Sequence, residues 1–242
     1  MIELHQGDCA DVMKIMKNNS VDLTVTSPPY DNLRKYNGYE FDFENTAQEL
    51  YRVTKKGGVV VWVIGDATIK GSETGSSFKQ ALYFMKCGFN LHDTMIYEKN
   101  SSTYPANNKS NRYSQIFEYM FIFSKGKPKT HNLIKDKPNK WAGYKDFSGK
   151  LKNPVPEFSP RNNIWKYTTS FNGKTGHPAV FPEQLAYDHI LSWSNKGNTV
   201  LDCFLGSGTT GKTAKQLSRN FIGIEISKEY LDIAKERIKN DR

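Results

Sequence analysis

The residues best suited to chemistry lie in two short stretches far apart in the chain. The first is Thr26-Ser27-Pro28-Pro29-Tyr30, directly after the strand-like run Val21 to Thr26. Neither proline has an N–H to give to a sheet ladder. The stiffened backbone leaves the Ser27 and Pro28 carbonyls able to accept hydrogen bonds from a ligand. An amino group on a planar ring could donate to the Ser27 hydroxyl and the Pro28 carbonyl while the ring stacks on Tyr30. The second stretch runs from Asp202 through Phe204, Gly206, Gly208 and Thr209 to Thr213. Read literally, Gly206 to Thr213 satisfies the phosphate-loop pattern G-x-x-x-x-G-K-T, which makes a nucleotide triphosphatase a rival reading, with Asp66 as its candidate magnesium acid. Two features oppose it. Only 29 residues follow Thr213, and Glu225 ends the next strand-like run 19 residues after Gly206. That is the spacing at which an acid grips ribose hydroxyls in a dinucleotide-type βαβ unit. The pattern predicts a nucleoside cofactor across strand ends, approached closely by the backbone at Gly206 and Gly208. A plain strand-ending turn is the structural alternative at each place.

Both stretches need strands to hold them. Ile2 to Gly7, Val21 to Thr26, Val59 to Ile64, Leu91 to Tyr97, Ile116 to Phe123, Thr199 to Phe204 and Phe221 to Ile226 read as seven strands. Helical patterns over Asp11 to Lys17, Thr46 to Val53, Phe78 to Met85, Phe181 to Ser192, Thr209 to Leu217 and Ser227 to Lys239 separate most of them, and Lys55 to Gly58 reads as a turn. Such alternation predicts a mostly parallel sheet with helices on both faces. The two strands between Leu91 and Phe123 have no helix between them, which predicts an antiparallel pair at one edge. The expectation is a single α/β, Rossmann-like domain.

With 242 residues, the chain has enough length for one large domain or two small ones. Its longest apolar run, Val59 to Ile64, is far short of the roughly 20 residues of a membrane helix. Three widely spaced cysteines make neither a disulfide framework nor a zinc set, and His5, His92, His131 and His189 lack metal-ligand spacing, so no metal is expected. A cytoplasmic, reducing setting with no membrane partner fits. The net charge of +9 is concentrated: Lys125 to Lys174 holds 12 basic and three acidic residues, and the rest holds 22 of each sign. Prolines and aromatics interleave with these lysines, as where cations neutralise phosphates and flat side chains stack on bases. Lys140, Trp141, Arg161 and Lys166 are the candidate contacts there. The irregular stretch Asp31 to Phe43 adds Arg34 and Lys35. The expected division is 1–124 and 175–242 as halves of one domain, with 125–174 as an irregular insertion.

Ser27-Pro28-Pro29-Tyr30 together with the loop from Asp202 to Thr210 resembles the S-adenosylmethionine-dependent DNA methyltransferases that modify cytosine N4 or adenine N6. The order of catalytic motif, basic region and cofactor loop is similar to the family's beta arrangement. Gly7-Asp8, Lys56-Gly57-Gly58 and Gly176-His177-Pro178 look like further landmarks. The resemblance implies S-adenosyl-L-methionine as cofactor, with Phe204, Gly206, Gly208 and Thr209 in its loop and Asp202 just before it. It further implies Glu225 on the ribose hydroxyls, Asp8 on the adenine amino group, and Thr175, His177 and Pro178 near the methionine end. Ser27 to Tyr30 would hold a base flipped out of double-stranded DNA, and 125–174 would read the target. A homodimer and a cognate restriction endonuclease in the same system are compatible with it. Adenine N6 enzymes of this family usually carry an acid where Ser27 stands and cytosine N4 enzymes a serine, so the resemblance favours cytosine N4, with adenine N6 as the alternative. A cytosine C5 enzyme would need a nucleophilic cysteine, and Cys9, Cys87 and Cys203 have no suitable context; buried structural thiols are the expectation. A DNA-binding module without catalysis would leave Glu225 and the Ser-Pro-Pro-Tyr site unexplained.

Overall fold

The structure, a computed structural model, describes residues 1–29, 41–102, 106–107, 109–145, 153–168 and 182–240. In chain order the elements are β1 (Ile2–Gln6), α1 (Cys9–Ile15), β2 (Val21–Thr26), α2 (Phe43–Val53), β3 (Thr54–Ile64), the small hairpin β4 (Thr68–Ile69) and β5 (Ser72–Glu73), α3 (Ser76–Lys86), β6 (Asn90–Lys99) and β7 (Phe117–Ser124). The hairpin β8 (Lys135–Pro138) and β9 (Phe158–Pro160) follows, then β10 (Ile164–Tyr167), α4 (Glu183–Trp193), β11 (Thr199–Asp202), α5 (Thr209–Gln216), β12 (Asn220–Glu225) and α6 (Lys228–Lys239).

Among the described residues the main sheet has eight strands in the order β1-β12-β11-β2-β3-β7-β6-β10. All pairings are parallel except those of β7, which is antiparallel to both β3 and β6. The run Val59 to Ile64 is buried along its whole length because both sheet faces are covered. Val59, Val61 and Val63 face a core completed by Leu185 and Ile190 of α4, Ala214 of α5 and Leu231 of α6. Val60, Trp62 and Ile64 face the other, completed by Met13 of α1, Leu50 of α2 and Phe84 of α3. Burying each such large side chain contributes about 1.5–3 kcal/mol.

The structure differs from the sequence expectation in three places. The sheet has eight strands rather than seven. The additional strand, β10, lies within the segment expected to be irregular, and it runs parallel to β6 with Ile164 opposite Ile96 and Tyr167 opposite Lys99. Trp165 and Tyr167 are buried while Ile164 and Lys166 are exposed, so a half-buried strand is hidden among charged neighbours. For the same reason the antiparallel pair does not end the sheet. Finally, Lys55 to Gly58 is not a turn: β3 already begins at Thr54. The Gly57 N–H donates to the Lys125 carbonyl at 2.7 Å, and a Cβ on Gly58 would stand 2.9 Å from the Asp22 carbonyl oxygen. These glycines permit a close approach of chains rather than a reversal.

Candidate active site at the strand ends

Parallel strands leave a sheet on one side, and ligands of open α/β sheets bind in the crevice outside those carboxyl ends. The four neighbours β1, β12, β11 and β2 end there. Glu225 and Asp202 are the last residues of β12 and β11, Asp8 lies two residues beyond β1, and Ser27 follows β2 at once. Gln6 stands opposite Glu225, and the Gly7 N–H donates to the Glu225 carbonyl at 3.0 Å, which brings Asp8 beside Glu225. Asp8 also caps α1, accepting from the Asp11 N–H at 3.0 Å.

The glycine loop is held by the side chains around it. Glu225 accepts from the Gly206 N–H at 2.8 Å and the Ser227 N–H at 2.9 Å. Burial pushes the Glu225 carboxyl up, and those backbone donors restrain the rise. Gly208 has φ +83°, and a Cβ there would come within 2.9 Å of Ala234 Cβ, so the start of α5 rests directly on α6. Thr209 opens α5 and is buried. Arg237 of α6 donates to the Ser207 carbonyl at 2.6 Å and to the Ser207 hydroxyl at 2.5 Å. Sequence reasoning missed this anchor, because an arginine near the end of an amphipathic helix reads as a surface charge. The Phe204 ring packs edge-on against Phe41 at 5.1 Å. Asp202 is buried, accepts from the Thr26 hydroxyl at 2.7 Å and the Phe204 N–H at 3.1 Å, and has its carboxyl pushed by desolvation up to about 6.

The phosphate-loop pattern finds no support in this geometry. Lys212, the lysine of that pattern, pairs with Glu183 of α4 at 2.9 Å. Asp66 serves the start of α3, accepting from the Ser77 N–H at 2.8 Å and the Ser77 hydroxyl at 2.6 Å.

Of the turn that follows β2, Pro28 is buried, and Ser27 and Pro29 are half-buried. Tyr30, Arg34, Lys35, Thr175, His177 and Pro178 lie outside the described residues.

The basic segment divides into paired and exposed cations. Arg161 bridges Asp136 of β8 and Asp188 of α4, the latter at 2.6 Å, and lies over the Trp165 ring. The guanidinium holds the Asp136 carboxyl below the usual carboxylate range. Lys166 pairs with Glu98 at 2.7 Å. Lys125 donates to the Tyr51 carbonyl at 2.7 Å and the Thr54 carbonyl at 3.0 Å, and burial lowers its pKa. Arg161 and Lys166, both expected as DNA contacts, are thus also paired with carboxylates of the fold, Lys166 while remaining exposed at the surface. Lys140 and Trp141 are exposed at the far end of the β8–β9 hairpin, Trp141 with 65% of its surface free.

Cys9 and Cys203 are buried free thiols, whereas Cys87, expected to be buried as well, is only half-buried at the end of α3; burial pushes the Cys203 thiol up, away from a nucleophilic thiolate. His189 is buried against Trp165, and desolvation lowers its pKa to about 3. Among the described residues no group of three His, Cys, Asp or Glu side chains could hold a metal ion, and no helix is long and apolar enough to cross a membrane.

A mostly parallel sheet with helices on both faces, with carboxylates at the ends of β12 and β11 and a Ser-Pro-Pro turn after β2, is an architecture of the Rossmann type. Residues 21–236 match the family model described as DNA methylase, and the chain belongs to this family of amino-methyltransferases. It is 60% identical over 253 residues to the orphan methyltransferase M.BamHII of Bacillus amyloliquefaciens, covering 97% of this chain and 91% of the relative. Among solved structures, the complex of M1.HpyAVI with its cofactor is similar at TM-score 0.70 and 27% identity, over 98% of this chain and 99% of that one. The fold is also similar to that of PvuII DNA methyltransferase (cytosine-N4-specific), at TM-score 0.74 and 22% identity over 98% and 86% of the two chains. The protein is a site-specific DNA methyltransferase of the N4-cytosine/N6-adenine class that uses S-adenosyl-L-methionine. The residues present fit that cofactor: the carboxylates Glu225 and Asp202 end the adjacent strands β12 and β11, Asp8 follows β1 beside them, and the loop between β11 and α5 has positive φ at Gly206 and Gly208.

Proposed function

We propose that this methyltransferase modifies cytosine at its N4 amino group. The observation that carries the reading is a serine, Ser27, at the head of the Ser-Pro-Pro-Tyr turn, directly after a buried strand. An exocyclic amine is a poor nucleophile because its lone pair is conjugated into the ring. Acceptors at the Ser27 hydroxyl and the Pro28 carbonyl favour a more pyramidal nitrogen and aim its lone pair, a contribution of orientation and local electrostatics. When bound, S-adenosyl-L-methionine supplies an electrophilic sulfonium methyl group. Glu225 would hold its ribose hydroxyls, Asp8 its adenine amino group, and the backbone from Phe204 to Thr209 its remaining edge, with Thr175, His177 and Pro178 near the methionine end. The base must leave the duplex stack at a cost of a few kcal/mol. Stacking on Tyr30 and phosphate contacts from Arg34 and Lys35 offset that cost.

Target reading falls to 125–174, between the catalytic half (1–124) and the cofactor half (175–242) of one domain. Within it the hairpin β8–β9, with Lys140 and Trp141 at its end, is the part offered to double-stranded DNA. Methylome sequencing of DNA from cells expressing the protein tests the base. N4-methylcytosine at a recurrent site is the expected result, and N6-methyladenine alone would overturn the choice.

A further inference from the structure

The strand ends hold a buried polar junction that the cofactor and base contacts leave unexplained. Thr26, the residue before the Ser27-Pro28-Pro29 turn, is fully buried, and its hydroxyl donates to Asp202 Oδ1 at 2.7 Å. The same oxygen accepts the Phe204 N–H at 3.1 Å. The Thr210 hydroxyl of the first turn of α5, 3.5 Å from the Val25 carbonyl oxygen, also favours the charged form of this carboxylate. One carboxylate thus joins the end of β2, the start of the glycine loop and the first turn of α5. With 1% of its surface exposed, Asp202 is poorly placed to touch a cofactor itself. Backbone pairing between β2 and β11 covers Leu23 with Val200 and Thr24 with Leu201. The Thr26–Asp202 bond carries the coupling of the two strands beyond that last pair, to where their turns diverge.

We propose that Thr26 and Asp202 are positioning residues for methyl transfer: their hydrogen bond sets the turn that holds the target amine in register with the loop that holds the methyl donor. The proposal rests on the amino-methyltransferase reading. In-line transfer tolerates little misplacement, since a shift of ~1 Å can cost ~100-fold in rate. In a low-dielectric site a hydrogen bond to a carboxylate is a stiffer tie than one in water.

The junction also has a pH signature. Desolvation pushes the Asp202 carboxyl up to about 6, the donors from Thr26, Thr210 and Phe204 pull it back, and the charge of Glu225 pushes it further up. The groups that face it are these and the neighbouring Cys203 thiol. As pH falls through about 6 the carboxyl takes a proton, its hold on the two hydroxyls and the Phe204 N–H weakens, and transfer slows. Removing the Thr26 donor destabilises the charged form, so this acid limb moves to higher pH.

The test compares wild type with Thr26→Val, which keeps the shape without the hydroxyl, and Thr26→Ser, which keeps the hydroxyl. Single-turnover methyl transfer to unmethylated genomic DNA is measured at saturating S-adenosyl-L-methionine across pH, with cofactor affinity by calorimetry and folding by thermal melts. Thr26→Val should slow transfer about 10- to 100-fold and raise the acid limb, with cofactor affinity within about threefold of wild type. Thr26→Ser should restore most of the rate. An unchanged rate in Thr26→Val, or a loss of rate matched by the same loss of affinity, would overturn the proposal. So would failure of a folded Thr26→Ser to recover. Should Thr26→Val not fold, Asp202→Asn decides: it retains an acceptor oxygen without a titrating group, so the limb near pH 6 must vanish, and its persistence would sink the idea. If wild type itself neither bound the cofactor nor methylated DNA, the functional reading would fall together with this proposal, an outcome recognisable because no variant would differ from it.

Discussion

The strand-end edge and the basic segment handle charge in opposite ways. At the edge, Glu225 and Asp202 are buried carboxylates whose oxygens meet backbone N–H groups and a hydroxyl of neighbouring elements, so each is held at one place and the loop is held with it. In the basic segment the cations fall into two sets. Lys125 and Arg161 are partly buried and engaged by carbonyls or carboxylates of the fold, whereas Lys127, Lys129, Lys135, Lys137, Lys140, Lys145 and Lys166 are exposed, Lys137 bonding Asn162 and Lys166 pairing with Glu98 at the surface. A surplus of positive charge is therefore partly matched inside the fold, and the pairing shows which cations the fold itself uses. A buried carboxylate positions by being satisfied, and a surface lysine binds DNA by remaining available to phosphate.

Four variants test this contrast. Ser27→Ala should lower single-turnover methyl transfer by about 100- to 1,000-fold with cofactor affinity nearly intact; a parallel loss of affinity would mean that the turn serves the cofactor. Glu225→Ala should weaken S-adenosyl-L-methionine binding by about 100-fold in calorimetry, the loss expected when a charged, multiply bonded acceptor is removed. Arg161→Ala leaves the buried Asp188 short of its cation, and a loss of about 2 kcal/mol in denaturant unfolding is expected. The same variant should leave the salt dependence of DNA binding as in wild type. A flattened salt dependence at unchanged stability would return Arg161 to the DNA surface. Removing Lys140 and Trp141 together should weaken DNA binding by about tenfold at fixed salt and lower the salt slope by about one, with melting temperature unchanged.

Most of the sheet was legible because its strands are runs such as Val59 to Ile64, which no helix or loop reading explains, and because Gly206 and Gly208 punctuate β11 and α5. The helix over 228–239 was legible through its cap, the Ser227 hydroxyl, which accepts the Tyr230 N–H at 3.4 Å. β10 was not, since four residues with a charged member and prolines upstream carry too little period to stand out. Lys55 to Gly58 misled because glycine and lysine are common in turns, while the constraint on Gly58 comes from the distant Asp22. The candidate site residues divide in the same way. Ser27, Gly206 and Glu225 are marked by local motifs. The Thr26–Asp202 bond joins residues 176 positions apart, and Arg237 reaches back 30 positions to Ser207, so neither leaves a local trace.

The strand order has a further consequence during synthesis. β1 borders the sheet at one edge, and its strand neighbour is β12, whose last residue is Glu225. On the ribosome, Ile2 to Gln6 must wait for nearly the whole chain before their ladder can close. At ~5–20 residues per second that wait is on the order of 10–45 s. β2 waits almost as long for β11 on one side, though β3 covers its other side early. The nascent chain thus carries an apolar strand, Val21 to Thr26, with one unpaired edge until the glycine loop emerges, and unpaired edges of this kind are where chains associate wrongly. Slower synthesis or a reduced chaperone supply should therefore lower the yield of folded enzyme.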